Sequence, residues 1–310
     1  MKKAILAVAA IIVAALAVVY FAFPGVMLKA AMTYERGKAG LEEKTVTVGD
    51  HTIVYLEGGS GPHVLLIHGF GADKDNWTRF ARYLTDHYHV IAPDLPGFGE
   101  SSKIASANYG VIPQVDRIKA FADTLNIDKF HLAGNSMGGA ISGRFAVKYP
   151  DRLITLGLFD AAGVQSPKPS ELQEILARGD PNPLLVDSPE AYHRLLEFVF
   201  VKPPYIPGPI LKYLTEQAIA HEASNKKVWN DLRAENKLLE PDLGLIKAPT
   251  LILWGDKDRV IDVSSVDVFK AGIPNSTVVI MKDCGHAPMV ERPQETAEIY
   301  LKFIRQGGER

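Results

Sequence analysis

The chain predicts an α/β fold: a mostly parallel β-sheet with helices on both faces, a helical insertion over one edge, and a separate apolar helix at the N-terminus. Three observations predict it. Short apolar runs without alternation recur between helical segments, the pattern of strands buried on both sides. About ninety residues between Phe159 and Thr250 hold no good strand, yet such a length is implausible as bare loop. The first residues of the chain are apolar almost without interruption. Composition agrees with a globular protein: 47% of the 310 residues are hydrophobic and 23% charged, which excludes disordered, collagen-like and disulfide-scaffold classes. With Lys+Arg 34 against Asp+Glu 36, no electrostatic reason exists to bind nucleic acid. The single cysteine, Cys284, removes internal disulfides and cysteine-based metal clusters.

Taken in order, Ala4 to Phe23 form an apolar run of 20 residues behind Met1-Lys2-Lys3. At 1.5 Å per residue this reaches roughly 30 Å, the hydrocarbon thickness of a bilayer. A secretory signal would have an apolar region of about 7–15 residues and a small-residue cleavage site. Here the run meets Phe23-Pro24-Gly25-Val26 instead. The expectation is an uncleaved transmembrane anchor over 1–24, with Lys2 and Lys3 inside and the large domain outside. In a Gram-negative cell this is a single-pass inner-membrane protein with a periplasmic domain. Ala10 and Ala14 make a small-xxx-small pair, so a homodimer through the N-terminal helices is a further expectation. Residues 25–44 read as a juxtamembrane helix or a linker.

From residue 45 the pattern changes. Thr45–Val48 and Thr52–Leu56 alternate around Gly49-Asp50-His51, a hairpin signal. Apolar strand patterns follow at Val64–Ile67, Tyr88–Ala92, Phe130–Ala133, Leu153–Phe159, Thr250–Trp254 and Thr277–Met281. Helical patterns lie between them at 76–86, 114–125 and 138–148, and the last, 294–305, puts Ala297, Tyr300, Leu301 and Ile304 on one face. The insertion, about 165–245, carries helical patterns at 170–178, 189–201 and 210–239 and a proline-rich turn at 203–209.

Gly134-Asn135-Ser136-Met137-Gly138 matches G-x-S-x-G. The string alone is weak evidence; its context, directly after a strand pattern and opening a helix, makes it strong. Such an elbow lifts Ser136 above the sheet edge and points free helix amides at developing negative charge. A serine hydroxyl is a poor nucleophile until a base removes its proton. Of nine histidines, His51, His63, His87, His89, His193 and His221 read as bland surface residues. His286 differs, because Asp283-Cys284-Gly285-His286 follows the last strand and projects from the same edge as the elbow. The base needs a carboxylate on its other nitrogen. Asp258, in Gly255-Asp256-Lys257-Asp258, is the choice, with Asp256 as a turn residue and Asp160 as a fallback. His68-Gly69-Phe70-Gly71 follows another strand, so the Phe70 and Met137 amides are expected to converge as an oxyanion hole. His68 itself reads as structural.

With these residues in hand the chain, from about residue 45 to the end (45–310), resembles the α/β-hydrolase superfamily. The order Ser136, Asp258, His286 is the family's order. The strings His68-Gly69-Phe70-Gly71, Asp94-Leu95-Pro96-Gly97-Phe98-Gly99-Glu100-Ser101-Ser102, Trp254-Gly255-Asp256-Lys257-Asp258 and Gly285-His286 stand in matching places. The insertion corresponds to the family's cap. With its apolar N-terminus, the whole chain is similar to the membrane-anchored bacterial phospholipase A/lysophospholipase type. Serine at 136 departs from the aspartate of haloalkane dehalogenases and epoxide hydrolases. The carbon–carbon bond hydrolases of aromatic degradation share Gly-Asn-Ser-Met-Gly-Gly but place tryptophan where Ala287 stands here. Cofactor-free haloperoxidases share the elbow too.

The resemblance implies carboxylic ester hydrolysis through an acyl-Ser136 intermediate, with no metal and no cofactor. A membrane phospholipid or lysophospholipid is the expected substrate and a fatty acid the product. The insertion's apolar stretch (Leu195, Phe198, Val199, Phe200, Ile206, Leu211, Leu214) suits both packing on the sheet and an acyl-chain channel. Three alternatives stay open: a carboxylesterase of short soluble esters, a carbon–carbon bond hydrolase, and a binding module on a hydrolase scaffold.

Overall fold

The computed structural model describes residues 1–3, 5, 6, 8, 19–235 and 237–307. Half of the expected anchor, residues 4, 7 and 9–18, lies outside the described residues. Among those described, no helix is long and apolar enough to cross a membrane. The first complete helix is α1 (Pro24–Lys38), which starts on the proline because a missing N–H costs nothing at a helix N-terminus. It occupies most of the segment expected as helix or linker.

Eight strands form one sheet in the order β1-β2-β4-β3-β5-β6-β7-β8. These are β1 (Leu41–Val48), β2 (His51–Gly58), β3 (His63–Ile67), β4 (His89–Pro93), β5 (Phe130–Asn135), β6 (Leu153–Phe159), β7 (Thr250–Gly255) and β8 (Ser276–Met281). Only the β1–β2 and β2–β4 pairings are antiparallel; all others are parallel. The hairpin is longer than its alternating core suggested, with Leu41 opposite Gly58 and Val48 opposite His51 around Gly49-Asp50. β3 pairs with β4 on one side and β5 on the other, so the winding direction reverses between β3 and β5. A crevice opens at the carboxyl ends of the strands at such a point.

Alternation inside the apolar runs feeds two cores. Leu65 and Ile67 of β3 face α3 (Val111–Thr124), α4 (Met137–Lys148) and α9 (Ser265–Gly272). Val64 and Leu66 face α2 (Thr78–Ala81) and α11 (Pro293–Gly307), where Ala297, Tyr300 and Ile304 are buried as the periodicity predicts. The helix expected over 76–86 is shorter: a 3₁₀ turn at Lys74–Trp77, then α2. The insertion folds as α5 (Glu171–Ala177), α6 (Pro189–Val199), α7 (Gly208–Ala220) and α8 (Glu222–Glu235). One helix was expected over 210–239; the chain instead turns at His221. A continuous helix there would run about 45 Å, and the turn folds it into two shorter ones. A last short helix, α10 (Pro288–Glu291), follows the His286 loop.

The N-terminal helix is fastened on two sides. The Arg36 guanidinium donates to both Asp75 carboxylate oxygens (2.8 and 2.5 Å) and to Glu43 (2.7 Å). Gly25 lies against α7 so closely that a Cβ there would meet the Tyr213 ring at 2.9 Å. Below Asp75, Lys74 is buried with its ammonium on Asp94 (3.0 Å) and Glu100 (2.7 Å).

Candidate active site

The G-x-S-x-G elbow needs its glycines for room. A Cβ at Gly134 would sit 2.1 Å from the Gly138 carbonyl oxygen, and one at Gly138 would sit 2.3 Å from that of Ile67. Between them Ser136 takes φ 55°, ψ −118°, a strained conformation that costs about 1–3 kcal/mol. The surroundings hold it there: its N–H donates to Phe159 O (3.0 Å), and its carbonyl accepts from Ala162 N (2.9 Å). Met137 is the first residue of α4, so its N–H has no acceptor within the helix.

Sheet register gathers the remaining residues. Ile67 is level with Gly134, Asn135 with Phe159, and Phe159 with Leu253, so the segments that follow these strands leave one edge together. His286 Nδ1 and Asp258 Oδ2 are hydrogen-bonded at 2.8 Å, both residues buried. The other Asp258 oxygen accepts from the Val260 and Ile261 amides at 2.8 and 3.0 Å, which orients the carboxylate. Asp256 is the turn residue, its Oδ1 accepting from Asp283 N (2.7 Å). The loop 68–71 packs on the elbow, where a Cβ at Gly69 would touch the Ser136 Cβ at 3.2 Å. Phe70, Ser136 and Met137 all line one cavity. His68 has the structural place expected of it. Its Nδ1 donates to Gly69 O (2.7 Å) and its Nε2 accepts from Leu95 N (2.9 Å), while burial lowers its pKa.

Asp160 was only a fallback from sequence, yet it lies beside the pair. Its carboxyl, Asp258 and His286 each place one ligand-type atom within 4.8 Å of the others. It is fully buried, with Oδ1 accepting from Gly255 N (2.9 Å). Burial, then the Asp258 charge, push its pKa well above the ordinary carboxylate value. Both effects favour the protonated form of Asp160 beside the Asp258 carboxylate. The spacing would admit a cation, but both Asp258 oxygens are already committed to hydrogen-bond donors.

Sequence reasoning missed two positioning residues. Asn135 donates to both Phe159 O (3.1 Å) and His286 O (2.9 Å), tying the elbow to the histidine loop. Glu291 of α10 accepts from Gly285, Val201 and Lys202 amides, clamping that loop to the end of the insertion. His286 N donates to Val199 O (2.8 Å), a third tie to the insertion. Two histidines were misread as surface residues: His51 is buried on the sheet, and His221 lines the site.

Ser136 stands where two cavities meet. The first, about 540 Å³, has walls of Leu172, Leu232, Leu239, Val260 and Ile261 beside Phe70 and Met137. The second, about 420 Å³, also contains His286 and runs under the insertion toward Leu28 of α1. Both volumes suit a small-molecule ligand.

Comparison with known proteins agrees with the geometry. Residues 62–293 match the α/β hydrolase fold family. The chain is 42% identical over 279 residues to Lipase 1 of Psychrobacter immobilis, covering 87% of this chain and 86% of the lipase. It is 30% identical over 298 residues to the monoacylglycerol lipase ABHD6 of Rattus norvegicus, covering 92% of this chain and 88% of that one. The crystal structure of a membrane phospholipase A, described as a bacterial virulence factor, superposes with a TM-score of 0.91 at 50% identity over 99% of both chains. Elbow, loop order, sheet and relatives agree, and the chain belongs to the α/β-hydrolase family.

Proposed function

We propose that this carboxylic ester hydrolase cleaves (lyso)glycerophospholipids at a membrane surface, in the manner of a phospholipase A, through an acyl-Ser136 intermediate. The observation that carries the reading is the buried Asp258–His286 hydrogen bond, set at the strand edge with Ser136 before an apolar cavity. His286 takes the Ser136 proton as Oγ attacks the ester carbonyl, and the oxyanion is held by the Phe70 and Met137 amides. His286 then protonates the leaving alcohol and later activates the water that frees Ser136. Asp258 fixes the histidine tautomer and balances the imidazolium. Donors of this kind typically contribute about 3 kcal/mol each.

His286 also fixes the direction of the substrate. The leaving oxygen must lie beside the group that protonates it, and His286 lines only the second cavity. The acyl chain therefore takes the first, apolar cavity and the alcohol portion the second. Support for a lipid comes from those apolar walls and from relatives named as lipases and a membrane phospholipase A. Exposed Phe21, Phe23 and Val26 at the start of α1 favour an apolar surface beside the site, in keeping with an anchor over 1–24 and a periplasmic domain.

The test is fatty-acid release from phosphatidylethanolamine or phosphatidylglycerol vesicles by detergent-purified full-length protein, with Ser136→Ala as control. Release abolished by the substitution is expected. Cleavage of short soluble esters alone would remove the lipid reading and leave a carboxylesterase.

A further inference from the structure

The alcohol branch has a polar end that the hydrolytic chemistry does not use. Lys103 reaches it from the loop after β4, while Gln217, His221 and Asn225 reach it from the α7–α8 turn. The Lys103 ammonium donates to the Gly99 carbonyl, and among the described residues no carboxylate hydrogen-bonds it. Two acids face the same cavity. Glu100 is engaged by Lys74 at 2.7 Å, and Asp73 accepts from the Asp75 amide at 2.9 Å. Burial and the neighbouring Asp94 and Asp75 charges push the Asp73 carboxyl up to about 7, which reduces its negative charge near neutral pH. Burial lowers the pKa of both Lys103 and His221, and Lys103 lowers that of His221 further. Both basic groups line this one cavity, and an anion bound between them would stabilise both charged forms.

We propose that Lys103, with His221 and Asn225, binds the phosphate of the substrate's glycerophosphate headgroup and so selects phospholipids over neutral glycerides. The inference rests on the function proposed above and on the direction that His286 gives the leaving alcohol. A glycerophosphate carries its phosphate a few bonds from the leaving oxygen, on the side that this branch receives. Lys103 is the charged anchor, and the amide and imidazole supply hydrogen bonds to the remaining oxygens. Because the lysine is partly exposed, its contribution is that of a screened ion pair.

The experiment compares kcat/KM on lysophosphatidylglycerol and on a monoacylglycerol of the same acyl chain, in the same micelles, for the parent, Lys103→Gln and Lys103→Arg. The glutamine variant should lose about fivefold on the lysophospholipid and stay within about twofold of the parent on the monoacylglycerol. Arginine should restore most of the loss, and salt should shrink the difference. A second arm measures inhibition of short-ester hydrolysis by glycerol 3-phosphate, expected to be competitive and weakened by Lys103→Gln. Equal losses on both lipids, or glycerol 3-phosphate inhibition indifferent to Lys103, would overturn the site. Lysine-dependent inhibition without phospholipid cleavage would keep the anion site and overturn the phospholipid reading instead.

Discussion

Asp258 and Asp160 are adjacent buried carboxyls, and the same substitution should affect them very differently. In Asp258→Asn the partner of His286 Nδ1 loses its charge, and the amide can present an N–H where an acceptor is needed. A loss of about 10⁴ in kcat is expected with the fold retained. Burial and its neighbour's charge favour the protonated form of Asp160. An asparagine keeps its shape, its neutrality and an oxygen for the Gly255 N–H. Asp160→Asn should therefore keep kcat/KM within about threefold, under about 1 kcal/mol of transition-state stabilisation. Asp160→Ala leaves that buried amide unpaired beside a small void, a cost of about 2–4 kcal/mol in stability. The assay is hydrolysis of a short chromogenic ester across pH 5–9, with urea unfolding of each variant. A charged Asp160 would raise the basicity of His286. If Asp160→Asn shifted the acidic limb of the profile downward, or lost activity as Asp258→Asn does, the neutral-acid reasoning would be refuted.

Other expectations follow from the geometry. Gly138→Ala sets a Cβ 2.3 Å from Ile67 O and 2.5 Å from His68 O, both backbone atoms, so it should cost about 3 kcal/mol or abolish folding. A thermal melt matching the parent would contradict this. Lys74→Met strips the cation from Asp94, which is fully buried, and should destabilise by about 3–5 kcal/mol in urea titrations. His131, buried against Thr155, has its pKa lowered by burial from 6.5 to about 4. The unfolded chain therefore binds a proton between those values that the folded chain does not. Stability should fall by about 3 kcal/mol as pH drops from 6.5 to 4 on this account, and His131→Gln should flatten that slope in pH-dependent melts.

What could be read in advance was whatever a local pattern carries. Val64–Ile67 and Leu251–Trp254 are apolar on both faces, so their strands and helical covers follow from composition alone. The elbow was legible because two glycines, a serine and a strand–helix switch coincide within a few residues. Asp258 is preferred to Asp256 from its place after the Leu251–Trp254 strand, and in the loop Asp258 hydrogen-bonds His286 while Asp256 accepts from the Asp283 amide. Other features depend on the assembled chain. Asp160 follows its strand with φ 45°, a geometry with no sequence mark, and its raised pKa owes part to Asp258 beside it. Lys103 and His221 are far apart in sequence and line one cavity only in the folded chain, His221 at the turn between α7 and α8. His51 looked like hairpin surface until α3 packed over it. The polar rim was invisible for the same reason, since nothing in a lone lysine announces its neighbours.

The helix α1 passes into β1 through Ala39 and Gly40 alone, and Arg36 is pinned to Asp75 and Glu43 on the way. The catalytic domain is thus carried on a bracket rather than a leash. Wherever residues 1–23 are held, the height, tilt and rotation of the site above that point are set by a fixed lever about 22 Å long. The same face of the domain is then always presented to whatever surrounds that point. Inserting a single residue at Gly40 would rotate that face, changing which molecules reach Ser136 without altering the chemistry that awaits them.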